Sequence, residues 1–454
     1  MKRRIPTMTG TRLLQLGMLS IAGIGPFTPD LLALRSYPRP TVQSVQHRYD
    51  TEYPVMDYSR TRLTDPVARL QERLERNEST LTHSGPEQSY LPSLLHELGI
   101  DPASQLLVFS RTSAQIEFIR PETPRAIYYA DDVYVASPPG AQDFEIAAMD
   151  PDIGPVFYTL AKQQRANIRP ERKMDECLSC HDSYSLTGGG VPRFIVGSGF
   201  TDDEGEQISH EGWILTDDRT PLRRRWGGWY VTGTHGSQTH MGNWIIRDTE
   251  ELRDIDLTRT GNLTDLSALI DTRPYLEGHS DIVALLVFDH QTRIQNVITR
   301  TNFQTRTLLA DHRDDDTLDS LPSPMQAQVE ELAEPLVEAL LMVGQPGLNG
   351  AISGTSSFSE NFPEQGPWDS TGRTLRNLEL STRLFRYPCS YVIYSEAFDG
   401  LPTATRAYVY RRLASILTQG EAGETFSHLT EENRDAVLEI LLETKLEFRT
   451  FVGL

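Results

Sequence analysis

Two cysteines three positions apart, followed directly by a histidine, are the residues of this chain whose types and spacing best suit chemistry. They are Cys177, Cys180 and His181, in the run CLSCH. On one tight helical turn, two thiols at this spacing reach the two vinyl groups of a haem, and each adds its S–H bond across one vinyl. The next imidazole then lies beneath the porphyrin, where one of its nitrogens binds iron. The pattern predicts one covalently attached haem c with His181 as an axial ligand.

Two other interpretations of the cysteines fit the sequence less well. A redox disulfide between Cys177 and Cys180 calls for a neighbouring strand–helix–strand pattern, which is not evident. A zinc site would recruit Cys389 and a histidine, but zinc ligands usually come as two close pairs and Cys389 has no near partner. We interpret Cys389, in the run YPCSY, as a buried small hydrophobe between aromatic residues.

A glycine-rich segment from 226 to 243 holds the candidates for a second axial ligand. Met241, sixty residues beyond His181, is the first of them, and His240 or His235 is the alternative. A His/Met haem suits electron transfer and has a raised potential, whereas a bis-His haem has a lower one. A third possibility is that another residue or no protein ligand fills the position, and an open position would suit catalysis. The tryptophans of this segment also fit a simple core role.

Several charged residues could act on a haem or a substrate. Arg223 and Arg225 belong to a run of three arginines just before the glycine-rich segment, and Arg193 follows a glycine turn. Arginine pairs with carboxylates through two parallel hydrogen bonds, so these residues are candidates for the haem propionates. The alternative for the triple arginine is a solvated face. Asp131 and Asp132, in YYADDVYVA, fit a charged strand end better than a calcium site or a general base.

The first 22 residues have the features of an export signal. Basic residues precede an apolar run, Leu13 to Phe27, that is too short to span a bilayer comfortably, and Ser20 and Ala22 offer small residues for cleavage. We therefore expect a periplasmic protein with no stable membrane span in the mature chain. The net charge of −20 argues against nucleic acid as a partner. It favours a partner of the opposite charge, a periplasmic redox protein that presents a basic patch.

The rest of the sequence predicts an α+β fold. Residues 23–104 read as a lead-in with short helices, residues 105–302 as a mixed β-rich haem-binding region, and residues 303–454 as a helical C-terminal region. A Gly/Ser-rich loop is expected at 344–372. The run IVALLVFDHQTRIQNVITRTN fits either a hairpin or a strand leading into a helix, and its periodicity does not separate the two.

Several motifs carry a resemblance to a known family. They are PRAIYYADDVYVA, CLSCH followed by GGGVPRF, DDRTPLRRRWGGWYVTGTHGSQTHMGN, LSTRLFRYPCSYVIYSEAFDGLP and HLTEENRDAVLEILLETK. From about Gln105 onward the chain resembles an uncharacterised family of large exported monohaem cytochrome-c-domain proteins of environmental bacteria. The resemblance implies haem binding, iron and electron transfer, with Cys177, Cys180 and His181 in the roles argued above. We expect a periplasmic monohaem c-type cytochrome; the alternative is a haem-dependent oxidoreductase with an open iron site or an adjacent substrate pocket.

Overall fold

The fold is α+β, as the sequence predicts, with an antiparallel sheet followed by a helical C-terminal region. The computed structural model describes residues 53–182, 190–208, 212–248, 252, 255–312, 317–419 and 423–453, and these residues belong to one compact unit. The expected export signal, residues 1–22, lies outside the described residues. Within the described ranges, no helix combines the length and the apolar character needed to cross a membrane.

The main sheet has seven strands in the order β6-β5-β4-β3-β2-β1-β9, and each neighbouring pair is antiparallel. A separate pair is formed by β7 and β8. The strands are β1 (Leu106–Val108), β2 (Arg125–Ala130), β3 (Val133–Ser137), β4 (Asp143–Asp150), β5 (Gly154–Ala161), β6 (Glu171–Lys173), β7 (Gly197–Ser198), β8 (Ile214–Leu215) and β9 (Trp229–Tyr230).

Helices cover both faces of this sheet and are the main regular elements of the C-terminal region. They are α1 (Pro66–Glu75), α2 (Leu91–Glu97), α3 (Asp175–His181), α4 (Ile282–Leu308), α5 (Ser323–Leu340), α6 (Phe358–Asn361), α7 (Glu396–Asp399), α8 (Thr403–Gln419), α9 (Glu431–Thr444) and α10 (Leu446–Val452). The expected loop at 344–372 contains the short helix α6.

The hairpin of β2 and β3 shows why the strand pattern is readable from the sequence. Tyr129 pairs with Tyr134 and Ala130 with Val133, so the two aspartates of YYADDVYVA form the turn. Side chains alternate between the faces of a strand. Tyr129 accordingly joins the core that includes α4, whereas its neighbour Tyr128 joins the core that includes α1 and α2. The sheet is therefore buried on both faces.

Helix α4 replaces the hairpin or strand considered for its sequence. The carboxylate of Asp281 caps its first turn, accepting hydrogen bonds from Val283 N at 2.7 Å and Ala284 N at 3.1 Å. Every residue from Ile282 to Gln295 is buried, because the sheet, the C-terminal helices and the 344–372 segment surround this half of the helix. A helix buried all round has no polar stripe to reveal its period. The helix also crosses the boundary expected between residues 302 and 303.

Candidate haem-attachment site

Helix α3 carries both cysteines and the histidine of the CLSCH run. It begins directly after the edge strand β6, and the buried side chain of Leu178 anchors it in the core. Cys177 is half-buried, Cys180 is exposed, and both are free thiols. Residues three and four positions apart are neighbours on a helix surface, so the two sulfurs and the imidazole belong to adjoining positions. The donor set that a c-type haem requires therefore fits this helix.

A backbone hydrogen bond fixes the imidazole of His181. Its Nδ1 lies 2.8 Å from the carbonyl oxygen of Arg193, and the Arg193 N–H donates to the His181 carbonyl at 3.1 Å. The ring also packs against Phe157 of β5, with ring centroids 4.3 Å apart. When Nδ1 donates to a carbonyl, Nε2 keeps its lone pair for a metal, as in most metal-binding histidines. Burial lowers the pKa of His181, which favours the neutral, metal-binding form.

An ion pair on the sheet acts on the same helix. Arg125 of β2 and Glu145 of β4 approach to 3.0 Å, and their charges influence the pKa of His181 after the effects of burial and of the Arg193 hydrogen bond. Burial, and then the charge of Glu145, raise the pKa of Cys177 to about 12. The Nε of Arg125 is buried and has no hydrogen-bond partner among the described residues. Arg125 is thus a cation near the CLSCH run, and the sequence around Arg125 gave no sign of this nearness.

The three candidates for the sixth ligand lie together, at the other end of the sheet order. Met241 follows β9, and five strands separate β9 from β6 in the sheet. Its N–H donates to Arg225 O at 3.0 Å, and its Sδ is 3.8 Å from Ser198 Oγ. His235 and His240 are buried with ring centroids 4.8 Å apart. Met241 can bind the iron held by His181 only if these two parts of the chain meet, so this assignment stays a prediction.

Both buried histidines of this segment are held in the neutral form. Burial, and then the neighbouring His235, lower the pKa of His240 to about 3, and burial lowers the pKa of His235. The His235 ring accepts a hydrogen bond from Asn262 N at 2.9 Å through Nε2. His240 packs against Trp226, with ring centroids 5.6 Å apart. Trp226 is fully buried, so it has the core role that the sequence left open.

Arg225 lies in the core, where it contacts three protein acceptors. Its Nε donates to Thr220 O at 2.6 Å and its Nη2 to Asp218 O at 2.7 Å, while Nη1 is 3.3 Å from Asp289 Oδ2. The same Asp289 oxygen accepts a hydrogen bond from Trp226 Nε1 at 3.0 Å. A bond from Arg225 to a haem propionate would have to replace one of these contacts. Of the other two predicted propionate partners, Arg223 is exposed and Arg193 is half-buried.

Asp218 also belongs to a buried Asp–His–Ser array. Its Oδ2 is 2.7 Å from His290 Nδ1, and His290 Nε2 is 2.8 Å from Ser390 Oγ. Ser390 is fully buried, and its Oγ accepts from Val392 N at 3.3 Å, which caps the turn that follows. The array therefore stabilises the core rather than presenting a nucleophile. Sequence patterns gave no sign of it, because its members are 72 and 100 positions apart.

Asp289 should make the stability of the protein depend on pH. Burial raises its pKa to about 7, although the charge of Arg225 lowers it. An aspartate in the unfolded chain titrates near pH 4. Between about pH 4 and pH 7 the folded protein therefore holds a proton that the unfolded chain has lost, and the free energy of unfolding falls as the pH rises.

Comparison with the Asp289→Asn variant isolates this contribution. The wild-type free energy of unfolding minus that of the variant should fall by up to about 1.4 kcal/mol per pH unit across the window, and stay level below it. Urea unfolding from pH 4 to pH 8 measures the difference. Asp271, whose pKa a hydrogen bond from Arg273 lowers to about 2, provides the control Asp271→Asn, which should show no such fall. A level difference for Asp289→Asn would contradict the prediction.

The zinc alternative is not assembled by the described residues. No group of three or more His, Cys, Asp or Glu side chains is placed there to hold a metal ion. Cys389 is fully buried in the core that includes α4, whereas Cys177 packs against the core on the opposite face of the sheet. Burial raises the pKa of Cys389 to about 12, in keeping with the buried hydrophobe expected.

Comparison with protein-family models, curated proteins and solved structures found no match for this chain.

Proposed function

We propose that this protein is a periplasmic monohaem c-type cytochrome that transfers electrons. One observation carries the proposal: two free thiols lie on the same helix as a histidine whose Nδ1 is hydrogen-bonded to the carbonyl oxygen of Arg193. Cys177 and Cys180 would hold the haem through thioether bonds, and His181 would present Nε2 to the iron. When bound, the haem supplies an iron that gains and loses one electron.

The surroundings of α3 also suit contact with a redox partner. Cys180 is exposed, so one attachment point lies at the surface of the protein. The net charge of −20 would steer the protein toward a partner with a basic patch. The features of residues 1–22 support export to the periplasm, where thioether attachment takes place.

Spectroscopy of the wild-type protein and of Met241→Ala tests this function. The protein should be produced in a periplasm with haem-attachment machinery. We expect a six-coordinate, low-spin haem with a sulfur–iron charge-transfer band, and a potential that the substitution lowers by roughly tens to hundreds of millivolts. Ser198→Ala is the matched control, because it removes the hydroxyl group beside the Met241 sulfur but keeps the sulfur itself. A spectrum that Met241→Ala leaves unchanged would remove Met241 as a ligand and direct attention to His240 or His235.

A haem-dependent oxidoreductase is the second candidate, and one observation favours it. A cavity with a volume of about 550 Å³ borders Arg193, the residue whose carbonyl orients His181. An electron carrier needs no such cavity, whereas an enzyme needs a place for its substrate. A high-spin ferric haem that binds cyanide would favour the enzyme over the carrier.

A further inference from the structure

The cavity beside Arg193 combines an apolar wall with convergent arginines. It lies between the 193–197 segment, α4 and α5, and its volume of about 550 Å³ suits a small organic molecule. Its apolar wall is made by Phe194, Val196, Val297, Leu332 and Pro335. Its guanidinium groups come from Arg193, Arg219, Arg293 and Arg300.

Arg293 is the most deeply buried of these arginines. Only 7% of its side chain is exposed, and its Nη1 is 3.3 Å from Asp218 Oδ1. The two charges form an ion pair at this distance, but neither the Nε nor the Nη1 of Arg293 donates a hydrogen bond to a described residue. A guanidinium has five N–H donors, and leaving buried donors without acceptors is costly. Arg293, which lines the cavity, therefore has buried N–H groups without a described hydrogen-bond acceptor.

The carboxylates beside this wall are shared among several cations. The charges of Arg293 and of the buried Arg225 both act on Asp218, and the other carboxylate near Arg225, Asp289, is partly protonated near neutral pH because its pKa is raised to about 7. Two further arginines of the cavity, Arg193 and Arg300, are close enough that Arg300 lowers the pKa of Arg193, after burial as the larger cause.

The acidic residues that line the cavity lie near Arg219 or at the rim. Asp217 is paired with Arg219 at 2.8 Å, and the charge of Glu338 also acts on Arg219. Glu331 is exposed at the rim, where water screens its charge. No carboxylate of the described lining forms an ion pair with Arg293 or Arg300, so these two arginines are the cations available to an occupant.

We propose that this cavity binds a carboxylate attached to an apolar skeleton. The carboxylate would lie against Arg293 and Arg300, and the skeleton against the wall that includes Phe194. Carboxylates form strong, charge-assisted hydrogen bonds with guanidinium groups, and burial of the skeleton adds the hydrophobic contribution. The carboxylate has two possible sources, a free organic acid and a propionate of the haem. The inference itself does not rest on the proposed function, because a free acid can be tested without haem.

Calorimetry with a model acid tests the cavity. The probe is 3-phenylpropionate, and its uncharged amide, 3-phenylpropionamide, is the matched ligand control. Each ligand is titrated into the full-length protein matured with haem and into the full-length Cys177→Ala/Cys180→Ala variant. We expect the acid to bind at least one of these proteins with a Kd below about 1 mM. The amide should bind at least about tenfold more weakly, and added salt should weaken the acid.

Substitutions locate the binding. Arg300→Gln and Arg293→Gln should each raise the Kd of 3-phenylpropionate roughly 10- to 100-fold, the loss expected for a hydrogen bond to a charged group. Arg300 is exposed, so its variant remains informative if Arg293→Gln does not fold. Arg62→Gln removes a highly exposed arginine that does not line the cavity, and it should leave the Kd unchanged.

Each outcome bears on the inference. Equal binding to the two proteins would support the cavity and identify a free acid as the occupant. Binding only to the haem-free variant would support the carboxylate site. It would also indicate that a haem propionate fills this site in the protein that contains haem. The inference would be overturned if the acid bound neither protein, if the amide bound as tightly, or if Arg300→Gln had no effect. Because one arm contains no haem, these results remain separate from failure of the proposed function.

Discussion

The Cys177→Ala/Cys180→Ala variant should emerge colourless and at its bare polypeptide mass from a periplasm with haem-attachment machinery. The wild-type protein should be coloured and heavier by one haem. Two thioether bonds are the only covalent links proposed between the protein and the porphyrin, so removing both sulfurs removes the attachment. Mass spectrometry of the denatured protein and the absorbance of its haem measure the effect.

Cys389→Ala provides the matched control. This thiol is fully buried, and it lies on the opposite face of the sheet from Cys177. Its loss should cost some stability, because it leaves a small cavity, but it should preserve both the colour and the added mass. A colourless wild-type protein would contradict the proposed function, and so would covalent haem in the double variant.

The Arg225→Met variant should lose about 3–5 kcal/mol of the free energy of unfolding, because it leaves three buried or half-buried acceptor groups without their guanidinium donor. Asp289 Oδ2 would keep only the hydrogen bond from Trp226, and the carbonyl oxygens of Thr220 and Asp218 would lose their donors. Denaturation in urea measures the loss. Arg223→Met, two residues earlier and exposed, should change the free energy of unfolding by no more than about 0.5 kcal/mol.

Haem content and potential of the Arg225→Met variant distinguish a core role from a role at the haem. If Arg225 serves the core, the folded fraction of Arg225→Met should carry as much haem as the wild-type protein, with a similar potential. If Arg225 instead contacts a propionate, the variant should show a changed potential or haem content together with a small loss of stability. That second result would favour the original expectation for Arg225 and would contradict the stability prediction.

How far the sequence predicts the fold depends on whether an element has one polar face or none. The sequence predicts strand structure and a charged strand end at Asp131 and Asp132, because aromatic and β-branched residues flank them, and the structure joins these strands as the β2–β3 hairpin. Strand β4 also has a readable pattern, because Phe144, Ile146 and Ala148 alternate with more exposed residues along it. Helix α4 could not be assigned, because the burial of its whole first half removes the helical period.

The candidate site divides in the same way between local and distant relations. The CLSCH run is predictable because its chemistry depends on spacing within one turn of helix. The carbonyl that orients His181 belongs to Arg193, 12 positions away and beyond a glycine run. The arginines of the cavity come from the 193–197 segment, the turn before β9 and α4, and only the fold brings them together. Neither the hydrogen bond to His181 nor the grouping of these arginines leaves a pattern in the sequence.

Helix α4 has a consequence for how the protein can be divided. A fragment ending at residue 302 would contain most of this helix but lack the C-terminal helices that cover it, and its apolar side chains would face water. The complementary fragment would begin inside the last turns of the same helix. Neither piece would make a stable protein alone. The part that contains CLSCH is therefore not a small independent domain with an appendage, and the two parts of the chain should melt in a single cooperative transition.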